Sequence, residues 1–375
     1  MGKKIKILFL TPYAGRTGSE MMLWYLLSQL DRDKFDVFLF SRHKGELLRL
    51  LPTEISSDYS RSASSLVNRI LNKIYSKLNW LTIEETQIKH IHQKFKPDVW
   101  YFNTMVMTDL VELSHRFGAK SIVHFHELES QYSGVTYGAL KNCIARAFLS
   151  IGCSERVCEN LRILGANRVV KQYECVDFSR IQITADKDTI KTKYQIPNGK
   201  FIVLMSGQRI ERKGYDIFID TALGLSKEDI HFVWLGSSKE TGFDLYYSKK
   251  IEKLNPAGVS AFYPPQSDYF DLMNCADLFF LSSREDPFPL VMLEAAYLGK
   301  PILALNSGGS SEFINKETGM NIELSVPKIQ ESILTMRKDI LSGKYLADEI
   351  KKHALTYDAV VQTALFENWL LRELE

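Results

Sequence analysis

The segment Ser282-Ser283-Arg284-Glu285-Asp286-Pro287-Phe288-Pro289-Leu290-Val291-Met292-Leu293-Glu294-Ala295-Ala296 carries two carboxylates, Asp286 and Glu294, eight residues apart. It follows an apolar run, Asp277 to Leu281, read as a buried strand, and it runs on into an apolar helix. The unpaired N–H groups and dipole at such a helix start can hold an anion. Spacing alone does not separate this pair from two solvated surface acids. A second candidate stretch, Gly207-Gln208-Arg209-Ile210-Glu211-Arg212-Lys213-Gly214-Tyr215-Asp216, places three cations just beyond another apolar run, Phe201 to Met205. A lone Lys-Gly is ordinarily a surface lysine at a helix start, but open α/β sheets take their ligands beyond the carboxyl ends of strands. Ile122-Val123-His124-Phe125-His126-Glu127-Leu128 reads as a strand that ends in polar residues. His124 and His126 lie on one side of it, and a core histidine satisfied by its neighbours is the ordinary reading of either.

These residues must be positioned by alternating strands and helices. Ile5 to Leu10, the glycine-bearing loop Thr11 to Gly18, the dense apolar segment Met21 to Leu30 and then Asp36 to Phe40 read as the opening of a parallel sheet. Asp98 to Phe102, Ser121 to His126 and Ala147 to Cys153 continue the alternation. Polar text around residues 177–200, with Asp186-Lys187-Asp188 and Pro197-Asn198-Gly199, marks a domain boundary. A second alternation follows through Phe201 to Met205, His231 to Leu235, Val259 to Tyr263, Asp277 to Leu281 and Pro301 to Leu305. The fold class expected is therefore α/β, with two doubly wound parallel-sheet domains.

Composition narrows the function. In 375 residues, 45% are apolar and 25% charged, the profile of a globular rather than a disordered protein. The formal net charge of +2 gives no overall field to attract nucleic acid. The five cysteines (Cys143, Cys153, Cys158, Cys175, Cys275) include no C-x-x-C pair, so no zinc ribbon or redox dithiol is encoded, and free thiols suit a reducing cytosol. The apolar run after the basic start is too short for a signal-peptide core, and no stretch is long enough to span a membrane. Gly15 and Gly18 have the spacing G-x-x-G, so the dinucleotide fingerprint is absent and a nicotinamide dehydrogenase is disfavoured. No P-loop pattern is present. Two D-x-D strings, Asp31-Arg32-Asp33 and Asp186-Lys187-Asp188, fall in a turn and in the linker, and both read as solvated.

Residues 282–296 resemble the donor-site motif of retaining family-4 glycosyltransferases, two-domain enzymes of the GT-B fold. Residues 207–216, Gly308-Gly309 with Glu312, and His124-Phe125-His126-Glu127 agree with that family in order. The likeness is strongest over residues 200–330. It implies two Rossmann-like domains facing each other across a cleft: 1–178 on the acceptor side and 179–356 on the donor side. A C-terminal helix, 357–375, with Val360, Val361, Leu365, Trp369 and Leu370 as its apolar side, is expected to return to the first domain.

The resemblance also assigns roles. Lys213, with Arg209 or Arg212, meets the donor diphosphate, whose charge grows as the glycosidic bond breaks. Glu294 receives the nucleotide ribose hydroxyls, Asp286 addresses the donor sugar, and His126 approaches the transferred sugar. Gly207 belongs to the same phosphate-side segment. Pro287 and Pro289 lack an N–H, so a backbone cradle falls to Phe288, Leu290 and Val291. Gly15 and Gly18 let the first loop approach phosphate or acceptor, or simply make a tight turn. Asn103 is an acceptor candidate, and Tyr263 borders the nucleobase or fills the core. The family usually has Glu where Asp286 stands and often Arg where Gln208 stands.

The function implied is a retaining, metal-independent hexosyltransferase with no cofactor, using a UDP- or GDP-sugar. The acceptor expected is a glycan or lipid-linked hydroxyl in surface polysaccharide or glycoconjugate synthesis. The alternatives are a catalytically silent carbohydrate-binding scaffold on the same fold and a nucleotide-sugar epimerase. Residues 61–97 carry seven basic side chains against two acids, with Leu66, Val67, Ile70, Leu71, Ile74, Leu78 and Leu81 at helical spacing beside Trp80. Such a stretch either packs on the first domain or lies on an anionic membrane surface, the inner face if the protein is cytoplasmic.

Overall fold

The computed structural model describes residues 3–62, 66–78, 80–254, 258–262 and 266–374. The chain divides into two compact units, 1–175 with 359–375, and 176–358.

The first unit is built on a parallel sheet of seven strands: β1 (Ile5–Tyr13), β2 (Phe35–His43), β3 (Ser56–Tyr59), β4 (Val99–Phe102), β5 (Lys120–Phe125), β6 (Leu149–Gly152) and β7 (Val169–Lys171). Their order is β3-β2-β1-β4-β5-β6-β7. The second unit has six parallel strands: β8 (Phe201–Ser206), β9 (Ile230–Leu235), β10 (Val259–Phe262), β11 (Leu278–Leu281), β12 (Ile302–Leu305) and β13 (Gly319–Ile322). They run β10-β9-β8-β11-β12-β13. In each sheet the order reverses once, between β1 and β4 and between β8 and β11, and these switch points are where such sheets open a crevice for ligands.

The central strands formed where the sequence is continuously apolar. Every residue of β4, β8, β9, β11 and β12 is buried, as expected of parallel strands covered on both faces. Three strands escaped the sequence reading: β3 (SSDY), β7 (VVK) and β13 (GMNI). All three lie at sheet edges, where one neighbour suffices and the apolar requirement relaxes.

The linker reading of 177–200 needs correction. Lys187–Lys193 is a helix, and the Asp186 carboxylate caps it by accepting from the Thr189 amide at 2.9 Å. The other D-x-D string does lie in the turn before β2, with the Asp33 amide donating to Asp31 at 2.8 Å.

The last helix, Ala359–Leu374, is part of the first unit. It buries Phe366, Trp369 and Leu370 together with Gln362, Thr363 and Glu367. Val360, Val361 and Leu365, expected on the covered side, are exposed instead. Polar ties set that rotation. Trp369 Nε1 donates to Gln172 Oε1 at 2.9 Å, and Glu367 accepts from the Asp31 amide at 2.6 Å.

Candidate active site

Beyond the switch point of the second sheet, the loops after β8 and β11 are locked together. Gly214 sits in the left-handed region, at φ 72°, and a Cβ there would lie 1.9 Å from the Ser282 carbonyl oxygen. Only glycine lets the two backbones approach so closely. Ser282 Oγ donates to the Lys213 carbonyl at 3.0 Å, and the Arg284 amide donates to the Arg212 carbonyl at 2.9 Å. The Arg284 guanidinium forks onto both oxygens of Asp216 and reaches the Glu211 carbonyl at 2.7 Å. That fork is a rigid brace.

Lys213 Nζ lies 2.5 Å from Asp286 Oδ2, with both side chains largely buried. Ser283 Oγ donates to the same carboxylate oxygen at 3.1 Å. The Asp286 backbone is fixed on both sides, its amide donating to Ser307 at 2.9 Å and its carbonyl accepting from Gly309 at 3.2 Å. Lys213 and Asp286 are thus brought together. Arg209 Nε is buried with no hydrogen-bond partner among the described residues. Arg212 is otherwise engaged, donating to the Glu285 carbonyl at 2.9 Å.

Leu290 and Val291 open the helix Leu290–Tyr297, so their amides belong to a first turn that has no intrahelical acceptors. Phe288 turns its ring inward against Tyr357, with centroids 5.3 Å apart. Gly207 has both backbone groups engaged, with Leu235 and with Trp234 Nε1, each at 2.8 Å. Its contribution is room, since the Lys213 side chain passes 3.4 Å from where a Cβ would stand. Glu294, one turn into the helix, accepts from Tyr269 Oη at 3.2 Å. Loss of water around it pushes its carboxyl up to about 7, against which the Tyr269 hydroxyl works. Tyr263 lies outside the described residues.

In the first unit the residue ends of β4, β5 and β7 form a buried polar cluster. His126 Nδ1 lies 2.5 Å from Glu174 Oε1, and each side chain is only 5% exposed. The His124 ring packs on His126 at 3.9 Å between centroids, and its Nδ1 meets the Tyr101 hydroxyl at 2.6 Å. Glu127 accepts from the His126 amide at 2.8 Å and from the Thr104 hydroxyl. Burial and the neighbouring His126 charge hold His124 well below the usual imidazole range. For His126 burial acts the same way, but Glu174, Glu127 and Glu20 outweigh it and raise the value.

Ligand atoms of His126, Cys153 and Glu174 all lie within 4.8 Å of one another. The 2.5 Å separation of His126 and Glu174 is a hydrogen bond. It is shorter than the roughly 3.3 Å that two ligands about 2 Å from one tetrahedral ion keep between them. The group reads as a charged pair beside a thiol.

Asn103 is buried and donates to the Ser19 carbonyl at 3.0 Å, tying β4 to the first helix. That amide hydrogen bond accounts for its burial. Gly15 lies against the Tyr13 ring, and Gly18 opens the helix Gly18–Gln29. The start of that helix is closed by a capping box in which Thr17 donates its amide to Glu20 at 2.8 Å. Sequence reasoning missed Glu174, Thr104 and Tyr269, and gave no role to Glu127 and Ser283, which it met only within their motifs. The signal for Glu174 was a lone acid in the otherwise uncharged run from Gln172 to Val176.

Residues 186–354 match the family model "Glycosyl transferases group 1". The matched segment lies within the second unit. The chain is also similar to a Campylobacter jejuni N,N'-diacetylbacillosaminyl-diphospho-undecaprenol alpha-1,3-N-acetylgalactosaminyltransferase. The two are 24% identical over 90% of this chain and 83% of that protein. It is 27% identical to the lipopolysaccharide core biosynthesis mannosyltransferase LpsB of Rhizobium meliloti, over 52% of this chain and 59% of that one. Among solved structures, Anabaena Alr3699/HepE in complex with UDP and glucose superimposes with a TM-score of 0.80 at 18% identity, covering 98% of this chain and all of that one. The matched segment thus stands within a chain of GT-B fold, and Lys213, Asp286 and Glu294 all lie inside it.

Proposed function

We propose that the chain is a retaining glycosyltransferase that moves a sugar from a UDP- or GDP-sugar to a hydroxyl of a glycan or lipid-linked acceptor, in the synthesis of a surface polysaccharide or glycoconjugate. The observation that carries this is the pairing of Lys213 with Asp286, Lys213 standing on the same post-strand segment as Arg209, whose buried Nε has no hydrogen-bond partner among the described residues. Both loops belong to the two strands at the switch point of the sheet. Two cations there meet a diphosphate whose negative charge increases as the sugar departs. They therefore stabilise the transition state more than the bound donor. Glu294 is the acceptor for ribose hydroxyls, in keeping with a carboxylate to which Tyr269 alone donates among the described residues.

The departing phosphate oxygen takes the acceptor proton on the face it leaves, which retains the anomeric configuration and needs no dedicated general base. No metal is assigned a role, because one D-x-D acid caps a helix and the other string closes a turn. The relatives named above act on lipid-linked and lipopolysaccharide acceptors by their descriptions. They favour such an acceptor here. The test is nucleotide release from a panel of UDP-, GDP- and ADP-sugars with and without added acceptor. Release stimulated by acceptor, with a retained anomer in the product, is expected. Conversion of the donor without acceptor would mean an epimerase, and no turnover of any donor would mean a silent scaffold.

A further inference from the structure

We infer that Glu174 is a positioning residue for His126: its carboxylate holds the imidazole through Nδ1 and keeps it charged, so that Nε2 serves as a charged N–H donor to a substrate oxygen. The substrate in that statement rests on the glycosyltransferase function proposed above; the hold of Glu174 on His126 does not.

Four observations converge on it. A carboxylate only accepts, so the 2.5 Å contact requires the proton on Nδ1 whether the ring is neutral or charged. With Nδ1 committed, Nε2 accepts when the ring is neutral and donates when it is charged. Nε2 is buried and has no hydrogen-bond partner among the described residues, and neither has Glu174 Oε2. An orphaned polar atom of this kind calls for a partner that arrives from outside.

The groups around the ring agree on its charge. Glu174 after β7, Glu127 after β5 and Glu20 on the first helix all favour the imidazolium. His124 on β5 is held neutral by burial and by His126 itself, and so does not oppose it. Tyr101 on β4 is pushed well above its ordinary value, burial first, and stays neutral against His124. Cys153 after β6 brings a buried thiol to the same place.

The experiment is a carbon-13 titration of the full chain labelled at histidine Cε1. The eight histidines give eight signals, and His126→Gln identifies one of them. Glu174→Gln should lower the His126 midpoint by about one pH unit or more, and Glu174→Asp should restore part of it. An unmoved midpoint in a folded Glu174→Gln protein would overturn the assignment.

In the activity arm, kcat/KM for nucleotide release should fall about tenfold further at a pH above both midpoints than at a pH below both. An equal loss at every pH means that Glu174 only supports the fold, and overturns the proposal. Should the unaltered chain turn over no nucleotide sugar, the function proposed above fails. The midpoint of His126 still decides whether Glu174 holds its charge.

Discussion

Lys213 and Asp286 share a nearly dry site, and each removes the cost of burying the other. Lys213→Ala leaves the Asp286 carboxylate with Ser283 as its one side-chain partner among the described residues, and should destabilise the protein by about 3 kcal/mol. Adding Asp286→Asn should recover most of that loss, as a thermal-unfolding double-mutant cycle would show. Glu294 carries a different signature. Its carboxyl titrates at about 7 in the folded chain against an ordinary 4.5. The folded state therefore keeps a proton that the unfolded chain releases between those values, and stability falls as pH rises across that window. Glu294→Gln should flatten this slope in denaturant titrations. Ribose hydroxyls that donate to the ionised carboxylate should bind better as pH rises through 7. Nucleotide affinity should strengthen by about tenfold between pH 6 and 8, and lose that dependence in Glu294→Gln.

At the scale of elements, the Lys213–Asp286 site exists because two strand-end loops interlock at Gly214. Gly214→Ala must place a Cβ on the Ser282 carbonyl and adopt an unfavourable φ. It should cost at least about 2 kcal/mol in stability and move Lys213 away from Asp286, with nucleotide affinity falling in parallel. Calorimetry on the variant checks both. This interlock explains what could be read in the sequence. Apolar runs such as Phe201 to Met205 and Asp277 to Leu281 announced central strands, and the motifs directly after them fell at the switch point. The edge strands were hidden because SSDY and GMNI bear no apolar pattern. The last helix was placed but its buried side was misread, since Gln172 and Asp31 lie far from it in sequence and fix its rotation. The pairing of Glu174 with His126 was illegible for the same reason, since 48 residues separate them in the chain.

Across the whole molecule a net charge of +2 leaves recognition to local surfaces. One such surface is formed at the helix Leu66–Lys77 and Trp80, where several large apolar side chains are exposed. Leu66, Ile70, Ile74 and Trp80 are 67%, 52%, 45% and 61% exposed beside Arg69, Lys73 and Lys77. Of the two readings of this stretch, packing on the first domain leaves much of its apolar side uncovered. No described helix is long and apolar enough to cross a membrane. If an acceptor is lipid-borne, this face is suited to the surface that holds it. The chain should sediment with vesicles containing anionic phospholipid and be released by salt. Replacing Leu66, Ile70 and Ile74 by serine should abolish the association without changing nucleotide affinity.

The central claim is that a nucleoside-diphosphate donor sits on Lys213 and Glu294. Isothermal titration of the full chain with UDP, GDP and ADP tests it most directly, with Lys213→Ala and Glu294→Ala alongside. One nucleotide should bind selectively and lose at least about tenfold in affinity in both folded variants. Binding that is indifferent to both substitutions, or no binding of any nucleotide, would contradict it.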